Sequence, residues 1–122
     1  MRGIASYQKN RVQAASQSQL LVMLLRKAVL KLDEAQRCHE AEDWPGWQAA
    51  LHHVRAIYSE LVFGLDHEVA PELCDNLRRL YVWCIRELNA ASTGRQLERL
   101  AGVQRVCRTL LDGWVSNAGD EG

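Results

Sequence analysis

Apolar residues recur with a period of about 3.6 along four segments of the chain, and no segment alternates convincingly between apolar and polar positions. This pattern is typical of helices that bury one face and expose the other. The four segments are about 20 residues long and only a few residues separate them, so consecutive helices must turn back on one another. We therefore expect an all-α fold, an antiparallel up-down four-helix bundle with a short N-terminal arm.

Local signals predict where the first two helices begin. Ser16 is followed three residues later by Gln19, which is the spacing of a capping box and predicts the start of helix 1. This helix should run to about Glu40. Asp43 is suited to cap helix 2, because Pro45 then falls in the first turn, where its missing N–H removes no helical hydrogen bond.

Similar signals predict the other two helices. Pro71 lies where it can open helix 3, which should end near Ala91. Thr93 and Gln96 repeat the capping-box spacing and predict the start of helix 4.

Each predicted helix has one apolar stripe that we assign to the core. The stripes consist of Leu21, Leu24, Leu25, Ala28, Leu32 and Ala35 in helix 1; Trp47, Leu51, Val54, Tyr58, Leu61 and Leu65 in helix 2; Leu73, Leu77, Leu80, Tyr81, Cys84 and Leu88 in helix 3; and Leu97, Leu100, Ala101, Cys107, Leu111 and Trp114 in helix 4.

Apolar residues outside these stripes predict a surface for a partner. At about 100° per residue, helices 1, 3 and 4 have a second apolar side, whereas helix 2 has Phe63 as its one misfit. Leaving a large apolar side chain in water forgoes about 1.5–3 kcal/mol, so a cluster of them suggests that another chain covers it. The alternative is that scattered surface hydrophobes are ordinary and that the arm covers some of them. The candidate contact residues are Ile4, Tyr7, Met23, Leu30, Val82, Trp83, Val103, Val106 and Leu110.

Length and charge limit the classes of function. The 122 residues suffice for one domain, residues 1–122, in which we expect residues 1–15 to form the arm and residues 118–122 a frayed tail. Fifteen Lys and Arg balance 15 Asp and Glu, so no net charge attracts nucleic acid or an acidic membrane. The residues before Asp33 include bases and no acid, which suits either an acidic partner or a solvated basic face. Without a recognisable signal peptide or apolar span, we expect a cytoplasmic protein with no membrane insertion.

The residues offer no visible apparatus for catalysis. The four cysteines are widely spaced and mostly at positions typical of small buried hydrophobes, so we expect reduced thiols. His52 and His53 diverge too far to bind one metal together, and no zinc-site spacing occurs. We expect no enzyme, no cofactor and no metal; a small helical enzyme with a thiol or metal site is the least favoured alternative.

Several residues occur in a characteristic order along nearly the whole chain. They are Tyr7, Val12, Ala15, Ser16, Leu20, Leu21, Met23, Leu24 and Ala28 near the start; Ile57, Glu60, Leu61, Leu65 and Asp66 in the middle; Asn76, Leu77, Leu80 and Tyr81 after Pro71; and Leu110, Leu111 and Trp114 near the end. Their order and distances resemble those of the flagellar export chaperones, the FliS family.

The resemblance implies a cytoplasmic export chaperone. Such a protein binds the disordered C-terminal segment of flagellin, prevents its premature polymerisation and assists its delivery to the flagellar type III export apparatus. Export machinery or a co-chaperone are further candidate partners, and we expect a monomer or a weak homodimer. The residues alone leave another reading open, a structural homo-oligomer whose extra apolar surfaces pair with one another.

Overall fold

The computed structural model describes the backbone of residues 2–120 and the side chains of residues 18–116. Within residues 2–120 it has four helices and no strand: α1 (Arg2–Glu40), α2 (Trp44–Phe63), α3 (Pro71–Gly94) and α4 (Leu97–Asp120). Each helix packs against two others, in the cyclic order α1, α2, α3, α4 and back to α1. Because short connections reverse the chain each time, this arrangement confirms the antiparallel up-down bundle. In the part of the chain that is described, no helix is long and apolar enough to cross a membrane.

The predicted starts of α2 and α3 are confirmed. The carboxylate of Asp43 accepts a hydrogen bond from the backbone N–H of Gly46 at 3.1 Å, so it caps α2. Pro45 lies in the first turn of α2, and Pro71 opens α3. The fixed φ of proline suits both positions, and its missing N–H would have had no helical partner there.

Helix α1 begins earlier than the capping-box spacing indicates. Its backbone is helical from Arg2, so the helix start predicted at Ser16 is wrong. The same spacing also occurs inside helices, and residues 2–15 contain no proline that would end one. The side chains of the arm lie outside the described residues. The assignments of residues 1–15 to an arm and of residues 118–122 to a frayed tail stay predictions.

The turn between α3 and α4 also differs from the prediction. Thr93 does not cap α4, because it still belongs to α3 and its hydroxyl donates to the carbonyl of Asn89 at 3.2 Å. Helix α3 ends at Gly94, and its C-cap is Arg95, which has φ 53° and ψ 39° and whose backbone N–H donates to the carbonyl of Ala91. This left-handed residue reverses the chain, and α4 then begins at Leu97.

The core largely follows the predicted stripes. Its largest fully buried side chains are Trp47, Tyr58, Tyr81, Leu25, Leu32, Leu51, Leu88 and Leu100. The assignment of Leu73 to the core is wrong, because 53% of this residue is exposed. It lies in the first turn of α3, at the end of the bundle. Two buried polar atoms, Trp47 Nε1 and the Tyr58 hydroxyl, have no hydrogen-bond partner among the described residues.

Polar side chains join neighbouring helices at the edges of the core. Between α1 and α4, both carboxylate oxygens of Asp33 accept from Arg108, at 2.8 and 3.0 Å, and one also accepts from Gln104 at 3.1 Å. Arg55 donates to Asn89 between α2 and α3 at 3.1 Å. These contacts link α1 to α4 and α2 to α3 outside the apolar core.

An aromatic cluster closes the end of the bundle at which α2 begins. The guanidinium of Arg95 lies 4.1 Å from the ring centroid of Trp44, in a cation–π contact. His39 Nε2 donates to the carbonyl of Arg95 at 2.8 Å, and its ring meets those of Trp44 and Trp47 edge to face. The ends of α1 and α3 are thereby tied to the start of α2.

Candidate partner-binding surfaces

Three of the predicted contact residues lie on neighbouring helices and form what we call the α3–α4 surface: Trp83 on α3, and Val106 and Leu110 on α4. Val82 lies on another side of α3, on the line of Asn89, which accepts a hydrogen bond from Arg55 of α2. Trp83 is 40% exposed, and its ring atom Cη2 lies 3.6 Å from the place that a Cβ on Gly102 would occupy. The indole therefore lies close to the α4 backbone. Val106 and Leu110 follow Gly102 at successive intervals of four residues, so they continue the same side of α4.

A groove of about 750 Å³ runs beside Trp83. Its lining consists of Trp83, Glu87, Gln96, Leu97, Glu98, Arg99, Gly102 and Arg105. Glu87 on α3 and Arg99 on α4 form an ion pair at 2.5 Å that joins its two sides. Since the lining holds two acids and two bases, the groove has no strong sign of charge, and it offers a partner both polar and apolar contacts.

Met23 and Leu30 form a second exposed feature, which we call the α1 stripe. The two side chains are 60% and 67% exposed, and seven residues separate them, so they share one line on the helix. Helix α1 packs between α2 and α4, and the described part of the chain has no packing contact between α1 and α3. The α1 stripe and the outer side of α3 are thus on different sides of the bundle.

The prediction that Val103 contacts a partner is wrong. It is completely buried, because Leu100, Val103 and Cys107 form the line along which α4 faces the core. The prediction centred this line on Leu97 and Trp114, and that phase error placed Val103 outside. Val106 and Leu110 are partly buried and pack against the core, so they can offer only part of their surface to a partner.

The two predicted contact residues of the arm cannot be placed. The side chains of Ile4 and Tyr7 lie outside the described residues, so their role as partner contacts stays a prediction.

Sequence reasoning missed a third feature, an end cavity of about 470 Å³ where the α2–α3 turn meets all four helices. It is lined by Ser18, Leu20, Leu21, Leu24, Glu60, Leu61, Gly64, Leu65, Asp66, Val69, Ala70, Leu73, Cys74, Leu77, Tyr81 and Trp114. Leu20 is 49% exposed and Val69 is 80% exposed. A large β-branched residue in a turn, such as Val69, was the signal that could have indicated it.

Asp66 organises the turn that borders the end cavity. Its carboxylate accepts from the backbone N–H of Glu68 at 3.1 Å, and its carbonyl accepts from the N–H of Val69 at 3.2 Å. The same carbonyl accepts from the thiol of Cys74 at 3.2 Å, which ties the turn to α3. Val69 and Leu73 are therefore presented on a hydrogen-bonded framework.

The chemistry of the buried groups suits packing. Burial raises the pKa of Cys84 to about 11 and also raises the pKa of Cys107. A thiol is a nucleophile only as the thiolate, so these two groups are unreactive near neutral pH. Within the described residues, no group of three or more His, Cys, Asp or Glu is arranged to hold a metal ion. What the exposed features can do is bind an apolar partner.

Comparison with known proteins identifies relatives over nearly the whole chain. Residues 1–121 match the family described as flagellar protein FliS. The flagellar secretion chaperone FliS of Escherichia coli (strain K12) is 29% identical over 104 residues, which cover 84% of this chain and 76% of that protein. The flagellar secretion chaperone FliSB of Pseudomonas aeruginosa is 27% identical over 118 residues, or 93% of this chain and 94% of that protein.

Proposed function

Because the chain belongs to the FliS family of flagellar proteins, we propose that it is a cytoplasmic flagellar secretion chaperone whose cargo is the C-terminal segment of flagellin. It holds that segment before export, prevents premature polymerisation, and assists delivery to the flagellar type III export apparatus. The relatives from E. coli and P. aeruginosa, both named as flagellar secretion chaperones, support the general activity.

The observation that supports cargo binding is the set of large apolar side chains exposed on separate sides of the bundle. Met23 and Leu30 are exposed on α1, and Trp83 is exposed on α3. Each square ångström of apolar surface that a partner covers contributes about 25 cal/mol, so covering these three residues contributes a few kcal/mol.

The separation of these surfaces favours a disordered cargo. A rigid globular partner would contact one side of the bundle, whereas an extended segment reaches around it and orders as it binds. Part of the contact energy then offsets the ordering of the segment. At the α3–α4 surface, the exposed part of the Trp83 ring borders a groove, and this arrangement suits an amphipathic helix.

Calorimetry with a flagellin C-terminal peptide tests the proposal. Trp83→Ala should weaken binding about tenfold or more, since buried tryptophans are frequent hot spots of interfaces. Phe63→Ala is the matched control, because Phe63 is 90% exposed on α2 and lies outside both surfaces. Equal affinity for wild type and Trp83→Ala, with unchanged helical circular dichroism, would remove the α3–α4 surface from the cargo site.

Light scattering distinguishes the hypothesis of a structural homo-oligomer from that of a chaperone. The chaperone should be a monomer or weak dimer that binds flagellin peptide with one defined stoichiometry. A dimer that persists at low micromolar concentration and ignores the peptide would contradict the proposed function and support pairing of the apolar surfaces between copies.

A further inference from the structure

The end cavity differs from the cargo surfaces in its charge. Among the residues whose side chains are described, 18–116, its only charged lining residues are Glu60 and Asp66, both acidic, whereas the groove beside Trp83 is lined by both signs. Neither Glu60 nor Asp66 forms an ion pair with another described residue. The cavity is therefore an apolar opening with negative charge at its edge that no base among the described side chains neutralises.

The surrounding chain strengthens this asymmetry. Between Arg55 and Arg78 there is no Lys or Arg, and the acids are Glu60, Asp66, Glu68, Glu72 and Asp75. Of these five, only Asp75 has an ion pair within the described residues, with Arg79 at 3.0 Å. A cation that approaches this end of the bundle thus meets several acids and no competing base on the α2–α3 turn.

The apolar part of the cavity is open to a partner. Val69, Leu73 and Leu20 are all about half exposed or more, and they border a volume within the range of about 300–1,000 Å³ that ligand pockets have. The hydrogen bonds of Asp66 hold the turn in place, so the opening is formed before any partner arrives. The surface offers helix faces and a turn rather than a strand edge, which suits an incoming helix better than a strand.

We propose that the end cavity is a docking site for a basic amphipathic helix of a second protein, distinct from the flagellin cargo. The apolar side of that helix enters among Leu20, Val69 and Leu73. Its Lys or Arg side chains lie against Glu60 and Asp66. This site would let the chaperone hold cargo on its sides and a cationic partner at its end at the same time.

A designed peptide tests the site. The probe is a synthetic amphipathic helix of about 15 residues with leucines on one side and lysines on the other, titrated into the full chain at two salt concentrations. We expect binding that weakens with salt, and no binding of the same peptide with glutamates in place of the lysines. Binding of both peptides alike, or of neither, overturns the proposal.

Variants locate the binding. Val69→Asp and the double change Glu60→Lys, Asp66→Lys should each weaken the lysine peptide about tenfold or more, while the exposed Glu98→Lys at the opposite end should not. Val69 is 80% exposed, so its replacement should leave the circular dichroism unchanged. Equal binding by Val69→Asp and by Glu98→Lys overturns the assignment to the cavity.

Two further outcomes would identify a different occupant. If the peptide binds only after residues 2–15 are deleted, the chain's own basic arm occupies the site and the second protein is excluded. If the flagellin segment displaces the peptide, the end cavity belongs to the cargo surface. Peptide binding that persists with flagellin bound supports the proposal. This test of the end cavity does not depend on which residues hold the cargo.

Discussion

The indole of Trp83 lies against the backbone of α4 at Gly102, where its Cη2 atom is 3.6 Å from the place of a missing Cβ. This contact joins two neighbouring helices at the most prominent aromatic side chain of the α3–α4 surface. A distance of 3.6 Å is ordinary van der Waals contact, so a methyl group at residue 102 would fit without moving the ring.

Gly102→Ala should therefore stabilise the protein. Alanine is favoured over glycine inside a helix by about 0.8–1.0 kcal/mol, and nothing nearby must move. Gly46→Ala is the matched contrast, because its Cβ would collide with the Asp43 carboxylate and lie 2.8 Å from Cys38 Sγ. Urea unfolding should show a gain for Gly102→Ala and a loss of about 1 kcal/mol or more for Gly46→Ala. A loss in both variants would contradict the placement of Trp83.

Tyr58→Phe should also stabilise the protein. The Tyr58 hydroxyl is buried beside the thiols of Cys84 and Cys107, and no described group meets it with the geometry of a hydrogen bond. Burying an unpaired hydroxyl costs about 1–3 kcal/mol, which phenylalanine avoids while keeping the ring. Thermal unfolding should shift upward. A clear downward shift would mean that one of the thiols bonds the hydroxyl in solution.

Stability should fall at alkaline pH. Burial raises the pKa of Cys84 from 9.0 to about 11 and that of Tyr81 from 10.0 to about 12. In the unfolded chain both groups lose their protons at the lower values, so above pH 9 the unfolded state binds fewer protons than the folded state. The contribution of these groups to stability is thus complete below about pH 9 and is lost as the pH rises towards 11 and 12.

Unfolding free energies measured at several pH values check this expectation. Each group should contribute a decrease of roughly 1 kcal/mol per pH unit within its window. Tyr81→Phe should show a shallower decrease than wild type between pH 10.0 and about 12. An identical slope for wild type and variant would contradict the assignment to Tyr81.

Replacements of Arg95 should separate its backbone conformation from its side-chain contact. Arg95→Ala removes the cation–π contact with Trp44 and keeps a residue that tolerates φ 53° poorly, so it should destabilise by about 0.5–1 kcal/mol. Arg95→Gly loses the same contact and relieves the left-handed backbone by about 1 kcal/mol. Denaturant unfolding should therefore rank the glycine variant above the alanine variant. The reverse order would mean that Arg95 is not left-handed in solution.

The sequence was informative where a residue acts locally. Asp43, Pro45 and Pro71 mark real helix starts because their effect depends only on the adjacent backbone. The spacing of Ser16 and Gln19 predicted a helix start that the structure does not have, because the same residues are also tolerated inside a helix. Whether a helix begins at such a spacing depends on whether the residues before it are themselves helical. Helix existence could thus be predicted more securely than helix boundaries.

The candidate surfaces were harder to predict because exposure depends on neighbouring helices. Met23 and Leu30 were correctly placed on the outer side of α1, but an error in the phase of α4 placed the buried Val103 outside. The end cavity could not be found on any single helical wheel, since all four helices and a turn line it. Such a site exists only after the ends of the helices are set in three dimensions.

The packing of α1 against α4 has a consequence for synthesis. Helix α4 leaves the ribosome after the other three helices, yet it completes the core beside α1 and supplies Val106 and Leu110 to the α3–α4 surface. A nascent chain that ends after α3 leaves the inner sides of both α1 and α3 without their second neighbour. Translation order therefore delays the formation of the α3–α4 surface until α4 has been synthesised.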